Sequence, residues 1–433
     1  MTPAFKTIGT LALLTAALPV NLAITATALI RNPRREPPPN ENPLTVLISG
    51  GKMTKALQLA RSFHAEGHRV VLVEQAKYRF TGHRFSRAVA AFHTVPPPRD
   101  PGYAQALLDI VRREKVDVYV PVCSPAASYY DALAAPLLKP YCEVIHADAD
   151  LVRQLDDKHA FIELAASLGL PVPDSHRITA PQQVTDFDFT ARPGPYVLKS
   201  IAYDPVHRLD LTPLPRPTPA DTAEFVHSKP ISPENPWIMQ AYVEGQEYCT
   251  HSTVREGRIT VFCCCESSAF QVNYADVDQP EIRQWVEKFA GALKLTGQIS
   301  FDFMLDRTGT VHPIECNPRT HSAVTMFYDH PGLARAYLDR DGPVIDRPTP
   351  DSRPTYWTYH ELWRMLSHPA AARTRLAVIR NGKDAIFDRN DPLPFLLVHH
   401  LQIPSLLLHN LRLGKPWIRI DFNIGKLVEP AGD

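Results

Sequence analysis

Residues 299–320 read ISFDFMLDRTGTVHPIECNPRT. Ile299, Phe301, Phe303 and Leu305 alternate with Ser300, Asp302 and Met304, the period of a strand with one apolar face. The loop DRTG (306–309) supplies turn residues, so the following TVHPIECN returns as the second strand of a hairpin. Asp302 faces away from the aromatic side, and on the return strand Glu315 and Asn317 are two apart and share a face. Pairing Leu305 with Thr310 would set Asp302 opposite Pro313, with Glu315 its diagonal neighbour; a slip of one residue would turn the two acids apart. Two carboxylates and an amide oxygen that converge without neutralising partners suit a hard, oxygen-seeking cation, Mg²⁺ or Mn²⁺. One ion would bridge Asp302 and Glu315, and a second would sit on Glu315 and Asn317. Arg319 follows, placed to clamp an anion through two N–H bonds. The competing reading, a surface hairpin with scattered acids, loses weight to the contiguous string ECNPR.

Upstream of the hairpin lies PEIRQWVEKFAGALKL, a helix with Pro280 at its start and Ile282, Trp285, Val286, Phe289 and Leu293 on one face. Before it come short strands: PYVLKS, PWIMQAYV, QEYCTHSTVR and ITVFCCCES. DDKHAFIELAASLGLP gives a helix from about Lys158, stopped by Gly169 and Pro171. From Leu44 the pattern changes to strand–turn–helix–strand (LTVLI, SGGK, an amphipathic stretch, RVVLVE), the opening of a doubly wound α/β unit. Gly50-Gly51 is half of a dinucleotide fingerprint, and Glu74 stands where a ribose-binding acid would. Without the remaining glycines a tight strand-to-helix turn is the better reading, and a nicotinamide-dependent oxidoreductase fails. The expected fold class is therefore α/β followed by α+β. Residues 1–43 form an apolar helix and Pro-rich linker, 44–149 a Rossmann-like domain, 150–340 the catalytic body, and 341–433 a C-terminal region.

IECNPRTHSA resembles the signature that ends the metal-binding strand of ATP-grasp enzymes, and four further pieces fall in the family's order over roughly 165 residues. The resemblance implies ATP as co-substrate, with Lys158 and Lys199 on its phosphates. It implies adenine against backbone groups around Gln240, Ala241, Tyr242 and Val243, and the ribose hydroxyls on Glu247. Lys199 and Arg319 would neutralise charge in the reaction, although Arg319 is equally suited to a substrate carboxylate. One departure is the segment SIAYDPVHRLDL, which has no glycine where the family often places a glycine-rich lid; His207 or Arg208 would then meet phosphate instead. At a finer level, ISGGKMTKALQLARSFHAEGHRVVLVE, TGHRFSRAV, CCCESSAFQVNY, GQISFDF, ECNPRTHSA and IRIDFNIGKLVE are similar to the mycosporine-glycine synthetase family over nearly the whole chain. That resemblance implies joining of glycine to 4-deoxygadusol at the expense of ATP. The alternatives are an ATP-grasp carboxylate–amine ligase acting on amino acids or peptides and, from another class, a membrane-tethered nucleotide-binding protein without catalysis. Acceptor-pocket candidates are His83, Arg84, Ser124 and Ser128, and Glu266, Ser267, Ser268, Gln271 and Asn273 after the cysteine run.

The 433 residues carry 46 basic and 46 acidic side chains, so no net field draws in nucleic acid and an anionic ligand must be met by local charge. Seven cysteines without CxxC spacing, three of them consecutive (Cys263 to Cys265), read as reduced buried thiols, because neighbours on a strand face opposite ways. Reduced thiols and ATP use favour the cytoplasm. Residues 8–30 are uncharged and long enough to cross a bilayer, with Lys6 before them and Arg31, Arg34 and Arg35 after. Membrane association through this segment is the favoured reading over a cleaved signal peptide. PFLLVHHLQIPSLLLHNLRL is expected as a buried helix pair rather than a second membrane contact, and DFNIGKL has no functional reading.

Overall fold

The computed structural model describes residues 3–33, 36–122, 124–192, 194–202, 204, 206–207, 210–267 and 273–430. Arg34, Arg35, Arg208, Ser268 and Gln271 fall outside them. Helix α1 (Pro3–Arg31) precedes a parallel sheet of β1 (Thr45–Ile48), β2 (Arg69–Gln75), β3 (Ala91–Val95), β4 (Val118–Val120) and β5 (Glu143–Val144), in the order β3-β2-β1-β4-β5. Its central strands are apolar on consecutive residues because both faces are covered. Val46, Ile48, Val70 and Leu72 share a core with Leu57, Ala60 and Phe63 of α2 (Thr54–Ala65). Leu47, Val71, Val73 and Tyr119 pack with residues of α3 (Tyr103–Glu114) and α4 (Ser128–Leu138). The doubly wound unit read from residue 44 onward is thus observed as a sheet with helices on both faces. Gly50 (φ +69) makes the turn after β1, and a Cβ there would lie 2.4 Å from the Val122 carbonyl oxygen. Glu74 is not a ribose acid in this fold: it receives Lys52 through both backbone N–H (3.1 Å) and ammonium (3.3 Å).

Two short helices, α5 (Ala149–Asp156) and α6 (Lys158–Ser167), lead out of this sheet, and Asp157 caps α6 by accepting from His159 and Ala160 N–H at 3.0 Å. A small antiparallel sheet follows, of β6 (Ser175–Ile178), β7 (Tyr196–Ser200) and β8 (Trp237–Ala241) in the order β6-β8-β7. The larger antiparallel sheet has the order β10-β9-β12-β13, from β9 (Gly245–Arg255), β10 (Arg258–Glu266), β12 (Gly297–Asp306) and β13 (Val311–Asn317). β11 (Asn273–Tyr274) belongs to a separate three-stranded sheet. The aromatic face of β12 is closed by the helix Pro280–Ala292: Phe301 is sealed off by Phe161, Trp285 and Phe289, with ring centroids 5.3–5.8 Å away.

The six described cysteines are all buried and none is in a disulfide. Cys263 and Cys265 face one core and Cys264 the other, as strand alternation requires. In the C-terminal region the helical run Leu393–Arg412 is packed against α1 and the parallel-sheet unit, with Val398, Ile403 and Leu407 fully buried. DFNIGKL closes over the first glycine turn: the Asn423 carbonyl accepts Thr54 N–H at 2.9 Å, and Asn423 Nδ2 donates to Ser322 Oγ at 2.7 Å.

Candidate active site

The hairpin closes differently from the simplest pairing. Leu305 stands opposite Val311, not Thr310, and Asp306 meets Thr310 through its own N–H (3.1 Å). The loop is therefore three residues, with Gly309 at φ +83 and the Asp306 carboxylate accepting Thr308 and Thr310 N–H at 2.8 and 3.0 Å. Continued regularly, this register would oppose Asp302 to Ile314 and turn Glu315 onto the aromatic face. The ladder instead shifts between Phe303–Pro313 and Asp302–Glu315, so Ile314 is an extra residue, a β-bulge that returns Glu315 to the face of Asp302. The two acids are directly opposite rather than diagonal, and Ser300 and Asn317 form the next pair on the same face. β9 adds Glu247, which pairs with Met304 and is the diagonal neighbour of Asp302 on that face.

Facing these acids are the two predicted lysines. Lys158 Nζ lies 3.8 Å from Glu315 Oε2 and 3.4 Å from the Ile201 carbonyl oxygen. Lys199, near the end of β7, has its ammonium pulled below the usual lysine range by burial, with Lys158 pushing the same way and Glu315, Glu247 and Asp302 opposing. Burial, then Glu315 and Glu247, push the Asp302 carboxyl up to about 7, against Arg319 and Lys199. Arg319 Nη1 stands 3.6 Å from Asp156 Oδ1 at the end of α5, and burial raises that carboxyl too. The doubled acid before Lys158 is the only signal of Asp156 in the sequence.

The donor set fits divalent cations. Asp302, Glu315 and Glu247 crowd one face, and Asp302 is pushed towards its protonated form; a doubly charged oxygen-seeking ion is suited to offset that crowding. No group of three His, Cys, Asp or Glu side chains among the described residues converges tightly enough to hold a metal alone. The protein thus offers Asp302, Glu315 and the Asn317 amide, and the rest of any coordination shell must come from a ligand's oxygens and water.

The remaining candidates separate. In the β8 segment the Ala241 and Tyr242 N–H groups donate to the carbonyls of Asp174 and Pro195, both at 2.8 Å, while Gln240 is buried and Tyr242 exposed. Glu247 is steadied by Ser267, whose Oγ donates to Oε1 at 3.0 Å and whose N–H donates to the Glu247 carbonyl. Ser128 Oγ donates to the Pro318 carbonyl (2.7 Å) and Lys55 to that of Thr320, so helices of the first sheet grip the segment that follows β13. Ser124 lines a cavity at the ends of β1, β2 and β4 with Ser49, Lys52, Glu74 and Asp131. His83 is fully buried on the Gly51 carbonyl (3.0 Å), and Arg84 turns to the Arg79 carbonyl; neither faces that cavity. His207 is paired with Asp204 at 2.6 Å.

An ADP complex of N5-carboxyaminoimidazole ribonucleotide synthetase superimposes with TM-score 0.56 at 14% identity, covering 75% of this chain and 85% of that one. An L-amino acid ligase from Bacillus licheniformis gives TM-score 0.50 at 14% identity, covering 69% and 71%. The chain has the ATP-grasp fold. In ATP-grasp terms the β6-β8-β7 and β10-β9-β12-β13 sheets are the two halves of the clasp, and the Asp302–Glu315 face lines it. By sequence, the C-terminal section of the carbamoyl phosphate synthase large chain of Methanopyrus kandleri is 24% identical over 242 residues, 49% of this chain. The match spans less than half, 43%, of that relative's length. No protein-family model matches the chain.

Proposed function

We propose that the protein is an ATP-dependent C–N ligase that joins glycine to 4-deoxygadusol through a phosphorylated enol. The observation that carries the ligase reading is the meeting of Lys158 and Lys199 with Asp302, Glu315 and Asn317 on one face of the ATP-grasp fold. Paired carboxylates opposite paired ammonium groups have a use where a polyphosphate and its cations are handled together. Lys158 and Lys199 would hold phosphate oxygens, Glu247 the ribose hydroxyls, and the Gln240–Val243 segment the adenine edge. With the Ala241 and Tyr242 N–H groups already used by the sheet, the base would be met by Val243 N–H and by the segment's carbonyls. Bound Mg²⁺ or Mn²⁺ on Asp302, Glu315 and Asn317 would neutralise the charge of the transferring phosphoryl group.

A cyclic enol conjugated to a ketone is a vinylogous carboxylic acid. Its enolate oxygen attacks the γ-phosphorus and ADP leaves. The glycine amine then adds at the same ring carbon, loses a proton, and phosphate departs. Lys199 and Arg319 contribute fixed positive charge as negative charge moves, and Arg319 is also the candidate for the glycine carboxylate. The choice of these substrates is supported by the motif resemblance from ISGGK to IGKLVE. The second reading, a carboxylate–amine ligase for amino acids or peptides, takes support from the likeness to the Bacillus ligase. Incubation with ATP, glycine and 4-deoxygadusol, followed by mass spectrometry, separates them. Mycosporine-glycine formed with stoichiometric ADP supports the proposal, while products made only from amino-acid or peptide carboxylates overturn it.

A further inference from the structure

We infer that α1 is not a spanning anchor but lies along the body, and that its outward face docks flat on an anionic lipid surface. The inward face of α1 is built for protein. Its buried positions are Thr7, Leu14, Asn21, Thr25 and Ala28, which fall within one narrow stripe at 100° per residue. Polar contacts bind that side near its start and again past its middle. Lys6 Nζ donates to the carbonyls of Trp417 (3.1 Å) and Ile418 (2.7 Å), and Trp417 Nε1 donates to Thr7 Oγ1 (2.9 Å). Fifteen residues on, Asn21 Nδ2 meets Tyr359 Oη (2.6 Å) and His400 Nε2 (2.7 Å). A helix standing across a bilayer would lose these partners and carry Asn21 into hydrocarbon, where unpaired polar groups are costly.

The outward face is the opposite in chemistry. Ile8, Leu13, Val20 and Ile30 are 57–81% exposed, an apolar strip too long for an isolated surface residue. The helix Thr358–Ser367, whose Tyr359 meets Asn21 on the inward side of α1, carries a further exposed apolar pair, Trp363 and Leu366, at 62% and 72%. The occupant is indicated by charge. Residues 3–31 hold Lys6 and Arg31 and no acid, and residues 406–420, whose carbonyls receive Lys6, hold Arg412, Lys415 and Arg419 and no acid. In a chain of zero net charge, α1 and the segment that receives Lys6 together carry five cations, with Asp421 the first acid beyond them, a local excess that matches anionic headgroups around a shallowly inserted helix.

The test uses the full chain mixed with vesicles of phosphatidylcholine, with or without phosphatidylglycerol, and read by flotation. Expected are flotation that rises with phosphatidylglycerol and falls with salt, release by alkaline carbonate, and an intact mass that retains residue 1. Leu13→Glu with Val20→Glu should reduce flotation about tenfold or more, with an unchanged thermal midpoint because both side chains already face outward. Carbonate-resistant insertion means a spanning helix and overturns the inference. So does a dimer that ignores vesicles, which would make a second copy the occupant. Cleavage of the isolated protein within or just after residues 8–30 also overturns it.

Discussion

Asp302 and Glu315 stand directly across from one another on β12 and β13, and they do so because Ile314 is a residue too many for a regular ladder. Without that bulge the three-residue loop Arg307–Gly309 would send Glu315 into the aromatic core beside Phe301. The pair, the bulge and the loop therefore act as one unit, and the first expectation follows from it.

Glu315→Gln keeps the shape and removes one charge from the proposed metal set. ADP release with both substrates present should fall by about a hundredfold or more, and Asp302→Asn should behave alike. Near-normal turnover by either variant, measured by a coupled ADP assay, would remove the metal assignment.

Lys199→Met should lower turnover by a similar order, whereas Lys158→Met, whose ammonium is shared with Glu315 and the Ile201 carbonyl, should weaken ATP binding as well. Steady-state kcat and KM for ATP distinguish the two. Equal and small effects on both constants in both variants would contradict phosphate contact.

Stripping divalent ions with a chelator should abolish turnover, and Mg²⁺ or Mn²⁺ should restore it, because the described side chains offer only two carboxylates and an amide. Full activity after exhaustive chelation counts against the reading.

Phe301→Ala opens a void against Phe161, Trp285 and Phe289 on the far side of the Asp302 strand. A loss of about 3–5 kcal/mol is expected for a fully buried phenylalanine, read from urea denaturation. A change below about 1 kcal/mol would mean the aromatic layer does not carry the hairpin.

Asp174 gives a pH test in the smaller half of the clasp. Burial alone would raise its carboxyl; hydrogen bonds from Tyr196 (2.6 Å), Arg192 (2.8 Å) and His176 (3.2 Å) prevail and hold it down to about 2. A carboxyl lower in the folded than in the unfolded chain, where it titrates near 3.9, stabilises fully above about pH 4 and ceases to as pH falls towards 2. Asp174→Asn should thus lower the thermal midpoint at pH 7 and differ less from the parent at pH 3. An equal difference at both pH values would deny the shift.

The local segments were legible because their signals are local. Alternation placed Phe301 and Phe303 in a core and Asp302 on the other face; a helix from about Lys158 had its stop at Gly169 and Pro171; three consecutive cysteines had to point two ways. The candidate site was legible as a list of residue types in order, from Lys158 to Arg319. What tertiary structure alone decided is who stands opposite whom. The bulge at Ile314, the pairing of Asp156 with Arg319, the capture of Glu74 by Lys52 and the seating of α1 on Tyr359, His400 and Trp417 all join residues through register or across 22 to 410 positions of chain. Such pairings depend on the one packing that satisfies all elements together, and no window of sequence contains that information.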